Sequence, residues 1–112
     1  MARTFIVTVA YELKGGASEE SAKLLRAELV SRGFRDTQGE RALPKNSVWA
    51  QRPLGEDDTT DALHDACTRD LRLAAAAVRA TGRTLELTRA WIQVSGGGTY
   101  GLAAGELGSP DA

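Results

Sequence analysis

The chain has 112 residues, 42% of them apolar and 26% charged, with a formal net charge of −1. That length suits one domain with a small core, and the composition is too apolar for a disordered chain. The near-neutral balance permits a nucleic-acid contact without demanding one, since dedicated binders carry a clear basic stripe. The alanine stretch Ala74–Ala77 is far too short to span a membrane, and no signal peptide opens the sequence. A single cysteine, Cys67, rules out an internal disulfide and any thiolate cluster. A reducing, cytoplasmic setting is the simplest expectation.

Thr4–Tyr11 reads as a strand with Phe5, Val7, Val9 and Tyr11 on one face and Ile6, Thr8 and Ala10 on the other. Both faces are largely apolar, which suits a central strand. Glu12 falls at its C-terminal end, and Gly15–Gly16 permit a turn. Ser18 is a good N-cap, followed by Glu19 and Glu20 where acidic groups favour a helix start. Ala22, Leu25, Leu29 and Val30 continue an apolar stripe until Gly33 stops the helix. Phe34 then opens a short strand, Gly39 marks a turn and Pro44–Asn46 a break. Ser47–Arg52 is a strand, with Val48 and Ala50 opposed to Trp49 and Gln51, closed by Pro53–Gly55. Thr59 or Thr60 caps a second helix over Leu63–Ala80, whose stripe is Leu63, Cys67, Leu71, Ala74 and Val78 and whose stop is Gly82. Leu85–Val94 is the last full strand, with Leu85 and Leu87 in one phase and a less regular alternation at Thr88–Arg89. Ser95–Gly98 is a glycine-rich break, Thr99–Leu102 adds a short terminal strand, and 104–112 is a frayed tail after a single domain over 1–103.

The order is strand, helix, strand, strand, helix, strand. It predicts an α+β, ferredoxin-like βαββαβ fold, with two helices on one face of an antiparallel sheet. The other face needs cover, so dimerisation through the open face or an edge is expected, with Trp49, Trp91 and Tyr100 as interface candidates. A core position for either tryptophan is the competing expectation.

The chemistry starts with Glu12. Mg²⁺ and Mn²⁺ favour carboxylate oxygens and water, and in a homodimer one acid per chain can build a paired site across a two-fold axis. Lys14 by charge, and Gly15 and Gly16 through their amides, would bind phosphate there. A solvated glutamate at a strand end is the simpler alternative. Asp57, Asp58, Asp61 and Asp65 suit helix capping better than metal binding, and His64 has no second histidine for a zinc motif. No Walker A or dinucleotide fingerprint is present. Residues 1–52 hold nine Lys/Arg against six Asp/Glu, while 53–112 hold five against nine. Lys23, Arg26, Arg35, Arg41, Lys45 and Arg52 are therefore the candidate nucleic-acid contacts, of a kind that grips phosphate without reading sequence.

VAYELKG at the first strand end resembles the Tyr-Asp-Leu strand end of Cas2 proteins and the related VapD ribonucleases. KLLRAELVSRGF resembles their leucine-rich, glycine-terminated first helix, and LPKNSVWAQ is similar to their strand with Ser-x-Trp or Ser-x-Phe. The resemblance covers roughly residues 4–52. It implies a ferredoxin-like homodimer, in some members a metal-dependent nuclease and in others a scaffold that holds DNA and bridges protein partners. It places the family's acidic metal residue on Glu12, although the family has aspartate there. The leading expectation is a homodimeric, Cas2-like interaction module for protein or for DNA or RNA, with no membrane partner. A Mg²⁺- or Mn²⁺-dependent nuclease, and a small inhibitor or regulator on the same scaffold, are the alternatives.

Overall fold

The computed structural model describes residues 3–55 and 57–96. The elements are β1 (Arg3–Leu13), α1 (Glu19–Ser31), β2 (Thr37–Gln38), β3 (Arg41–Ala42), β4 (Ser47–Leu54), α2 (Thr60–Arg79) and β5 (Leu87–Ser95). β1 lies at the centre of a three-stranded sheet in the order β4-β1-β5, antiparallel to both neighbours. This is the expected ferredoxin-like arrangement, with its fourth strand reduced to a single bridge between Arg35 and Trp49. The Thr99–Leu102 strand and the 104–112 tail lie outside the described residues. Among the described residues, no helix is long and apolar enough to cross a membrane.

The two faces of β1 have different fates. Phe5, Val7, Val9 and Tyr11 are buried with Leu25 and Leu29 of α1 and with Leu63, Cys67, Leu71, Ala74, Ala75 and Val78 of α2. On the opposite face Ile6 is buried, but Thr8, Ala10 and Glu12 are exposed. The two-sided apolar pattern of this strand thus resolves into one core face and one open face.

Local chemistry sets the ends of the helices. Ser18 Oγ accepts from the Ser21 amide at 3.1 Å, and Thr59 Oγ1 accepts from the Ala62 amide at 3.1 Å. At the end of α1, Gly33 takes φ 98°. The Phe34 amide then donates to Leu29 O and the Gly33 amide to Val30 O, both at 3.1 Å, closing a Schellman motif. Phe34 is thereby driven into the core rather than into a strand. Only Arg35 pairs with β4, exchanging 2.7 and 3.0 Å bonds with Trp49. The chain next folds on itself as the β2–β3 hairpin, with Gly39 at φ 61° and the Leu43 amide donating to Asp36 O at 2.8 Å. β4 runs two residues further than expected, to Leu54, whose side chain is buried.

β5 carries a register shift opposite Glu12 and Leu13. Glu12 pairs with Arg89 but Leu13 pairs with Leu87, so Thr88 is the extra residue of a bulge. A one-residue insertion exchanges the faces of a strand. Leu87 packs on the core before the bulge, and Ile92 and Val94 do so after it. Arg89, Trp91 and Gln93 are left beside Glu12, Ala10 and Thr8 on the open face. The irregular phase at Thr88–Arg89 in the sequence is this bulge.

Core and surface leucines give the first test. Leu25 is fully buried whereas Leu73 is 46% exposed. Leu25→Ala is expected to cost about 2–5 kcal/mol of unfolding free energy in urea titrations. Leu73→Ala should stay within about 0.5 kcal/mol, as surface changes do.

Candidate functional site

The open face of the sheet gathers three of the predicted positions, Glu12, Trp91 and Trp49. Glu12 stands opposite Arg89, and Ala10 opposite Trp91, across the β1–β5 ladder. Arg89 donates to Glu12 Oε2 from Nε at 3.1 Å and from Nη2 at 2.9 Å. The Thr88 hydroxyl donates to the Glu12 carbonyl at 3.1 Å and lies 3.5 Å from Oε1. The bulge therefore supplies both partners. Arg89 and Glu12 are 79% and 55% exposed at their side chains, so solvent screens the pair and it contributes about 0–1 kcal/mol. Its chemical effect is larger than its energetic one. A divalent cation at Glu12 would meet a guanidinium already held on one carboxylate oxygen. No group of three His, Cys, Asp or Glu side chains that could hold a metal occurs among the described residues.

Trp91 is 70% exposed, the most exposed large apolar residue among those described. A shallow cleft of about 360 Å³ lies beside it, lined by Ala10, Tyr11, Glu12, Arg89, Ala90 and Trp91. Trp49 occupies the same face of the sheet opposite Thr8, but it is half-buried. Its indole N–H donates to Thr37 O at 2.8 Å, and Arg35 lies over its ring at 5.0 Å. The two tryptophans thus share a face, one engaged by the hairpin and one presented to solvent. Tyr100 falls outside the described residues.

The other predicted positions divide among several places. Lys14 Nζ reaches Glu86 Oε2 at 3.4 Å, and its amide donates to Glu86 O at 2.9 Å. Gly15 and Gly16 form the following turn, where Gly16 takes φ 94° and the Ala17 amide donates back to Lys14 O at 3.3 Å. The Lys14 amide is accordingly spent on Glu86 and the Ala17 amide on closing the turn. Arg35, Arg41 and Lys45 are exposed around the β2–β3 hairpin, while Lys23 and Arg26 lie on α1. Arg52 stands apart from them. It projects from the core face of β4, where Nη2 donates to Arg32 O and to Asp70 Oδ2, each at 3.2 Å, and its guanidinium covers Phe34 at 4.8 Å. Arg52 ties β4 to the end of α1 and the middle of α2. In the acidic segment, Asp58 Oδ2 accepts from the Gly55 amide at 3.3 Å, and His64 Nδ1 lies 3.7 Å from Asp65 Oδ1.

Two residues escaped the sequence reading. Arg89 is 77 positions from the glutamate it holds. Antiparallel pairing is the signal that finds it, because the end of β1 must meet the start of β5, and Arg89 is the one charged residue within β5. Tyr11 is the other. Its ring belongs to the core, yet its hydroxyl is buried without a well-formed hydrogen bond. Burial raises its pKa above the ordinary phenol value, and the nearby Arg26 guanidinium opposes that rise. Burial likewise pushes the Cys67 thiol up, against the charge of Arg52, so Cys67 is an inert core thiol.

Comparison with known proteins finds no matching family model, no matching curated protein and no matching solved structure. The structure establishes the ferredoxin-like fold, and the likeness to Cas2 and VapD rests on the short motifs over residues 4–52.

Tyr11 yields a pH test with a defined sign. Its folded pKa is raised, so above the unfolded phenol value the folded chain binds more protons than the unfolded one, and stability falls as pH rises. Tyr11→Phe is expected to be neutral or stabilising at pH 7, because it removes a buried hydroxyl that lacks a well-formed hydrogen bond. The alkaline loss of stability should also be shallower in the variant than in the wild type, read from urea midpoints across pH 8 to about 11.

Proposed function

We propose that this chain is a homodimeric, Cas2-like binding scaffold that holds a nucleic-acid strand on the helix-free face of its sheet. The observation that carries the reading is Trp91, 70% exposed and two residues from Arg89 on that same face. An indole presented on a sheet is a stacking surface for a base, and neighbouring guanidiniums suit the phosphates. Trp49 with Arg35 repeats the pairing on the far side of β1. Arg41 and Lys45 extend the positive charge around the hairpin. A net charge of −1 keeps such binding modest, and its phosphate contacts make it salt-dependent.

The metal-dependent nuclease reading gains no comparable support. It needs further metal ligands beside Glu12, and among the described residues no group of three His, Cys, Asp or Glu side chains that could hold a metal occurs, while the neighbouring charge is the cationic Arg89. A protein partner on the same face, as the inhibitor reading requires, would use Trp91 as an anchor without needing the arginines.

Fluorescence anisotropy with labelled single-stranded DNA and RNA tests the proposal. Binding is expected at low salt, weakening steeply as salt rises. Trp91→Ala should lower affinity by about 5- to 100-fold, the loss of one stacked base, while leaving the circular dichroism unchanged. No binding of either strand at low salt would defeat the reading. With Mg²⁺ or Mn²⁺ added, neither the wild type nor Glu12→Gln should cut the oligonucleotide. Cleavage by the wild type that disappears in Glu12→Gln would favour the nuclease instead.

A further inference from the structure

The two edges of the sheet are protected unequally. The outer edge of β4 is closed at its middle by the paired amides and carbonyls of Arg35 and Trp49. Pro53, near its end, has no amide to offer. β5 forms the other edge, and no described residue pairs with its outer side. Edge strands usually carry guards against pairing with another chain, such as prolines, inward-pointing charges or short length. β5 is nine residues long, has no proline, and contains a single charged residue, Arg89, which points to the open face. Its only irregularity is the bulge at Thr88, at one end.

The backbone phase shows which groups are unused. The Tyr11 amide donates towards β4, to Asn46 O, and the Lys14 amide towards β5, to Glu86 O. Peptide groups alternate sides along an antiparallel strand. Thr8, Ala10 and Glu12 therefore bond to β5, and their partners Gln93, Trp91 and Arg89 bond back to β1. Ala90, Ile92 and Val94 turn their N–H and C=O groups outwards.

We propose that two copies of this chain pair through β5, antiparallel about a two-fold axis at Trp91. The proposal rests on the homodimer reading above and specifies its geometry. Antiparallel overlap of the regular part of β5 beyond the bulge, residues 89–93, with itself sets Trp91 opposite the second copy's Trp91. Ala90 then lies opposite Ile92 and Arg89 opposite Gln93, with the bulge at Thr88 just outside this regular pairing. Every match is self-complementary. Ala90 faces the larger apolar Ile92 on the core side, the one cation faces a neutral amide, and no like charges meet. Trp91 sits in the non-hydrogen-bonded position, where side chains approach most closely. Ile92 and Val94, half-buried against their own core, become continuous with the core of the second copy. The product is a six-stranded sheet in the order β4-β1-β5-β5-β1-β4, with two adjacent tryptophans at the centre of one open face.

Light scattering and cross-linking on the full chain test this. The wild type should be a dimer at micromolar concentration. Ala90→Pro removes only an outward-facing amide, so it should give a folded monomer with unchanged circular dichroism. Trp91→Cys should form a disulfide-linked dimer under mild oxidation, because two cysteines in a non-hydrogen-bonded pair lie close to disulfide spacing. Gln93→Cys should not, and Cys67 stays out of the reaction because it is buried. A monomeric wild type would overturn both the homodimer reading and this geometry. A dimeric wild type whose Ala90→Pro variant stays dimeric, with Trp91→Cys failing to cross-link, would overturn the edge pairing and leave the homodimer standing. Cross-linking through Gln93→Cys instead of Trp91→Cys would overturn the register.

Discussion

The hydrogen bonding of β1 along both of its edges is the constraint on which this fold depends. A central strand must satisfy two neighbours and two faces at once. β1 does so with Phe5, Val7, Val9 and Tyr11 turned to the helices and Thr8, Ala10 and Glu12 turned away. Both helices then have only one surface to cover. The alanines Ala74 and Ala75 let α2 lie close to the sheet, and the Schellman turn after α1 inserts Phe34 beneath Arg52. Helix packing on one side and exposure on the other are thus consequences of a single strand's alternation.

The same constraint explains why charged residues of similar appearance have different fates. Arg52 pairs with Phe5 on the core face, so its guanidinium has to be satisfied inside the layer, by Asp70 and by the carbonyl of Arg32. With its side chain 21% exposed, loss of one partner would leave a partly buried charge unpaired. Arg89 sits on the open face, where its pairing with Glu12 is screened by water. Arg35 is held over Trp49 by the one bridge left of the fourth strand. Sheet face, rather than charge, separates a structural arginine from one available to a ligand.

Much of the fold was legible in the sequence because local signals agreed with the global pattern. Ser18, Gly33, Thr59 and Gly82 punctuate the chain where the helices begin and end, and the stripe from Leu63 to Val78 is the buried face of α2. The shortened fourth strand was not legible. Phe34 has the side chain of a strand residue, but its backbone is committed to closing α1. The candidate site was only half legible. Glu12 could be placed at a strand end, but its partner depended on a bulge that the sequence shows as nothing more than a phase error between Leu87 and Ala90. Arg52 and Arg89 are indistinguishable by composition, and only the register of β4 and β5 assigns them opposite faces. The buried hydroxyl of Tyr11 had no sequence signature, since burial of a ring does not reveal whether its oxygen finds a partner.

The bulge at Thr88 connects the core to the open face. Without it, the alternation that buries Ile92 and Val94 would turn Leu87 to solvent at the end of the strand. The inserted residue keeps apolar groups inward on both sides of the irregularity. It also brings the Thr88 hydroxyl and the Arg89 guanidinium onto Glu12, so the carboxylate most exposed to metal chemistry by its position becomes part of a polar border beside Trp91. The exposed indole thus has a solvent-screened ion pair at its side, an apolar centre with a polar rim on the face proposed to bind. Core packing thus shapes the face that the helices leave uncovered, through the register of one edge strand.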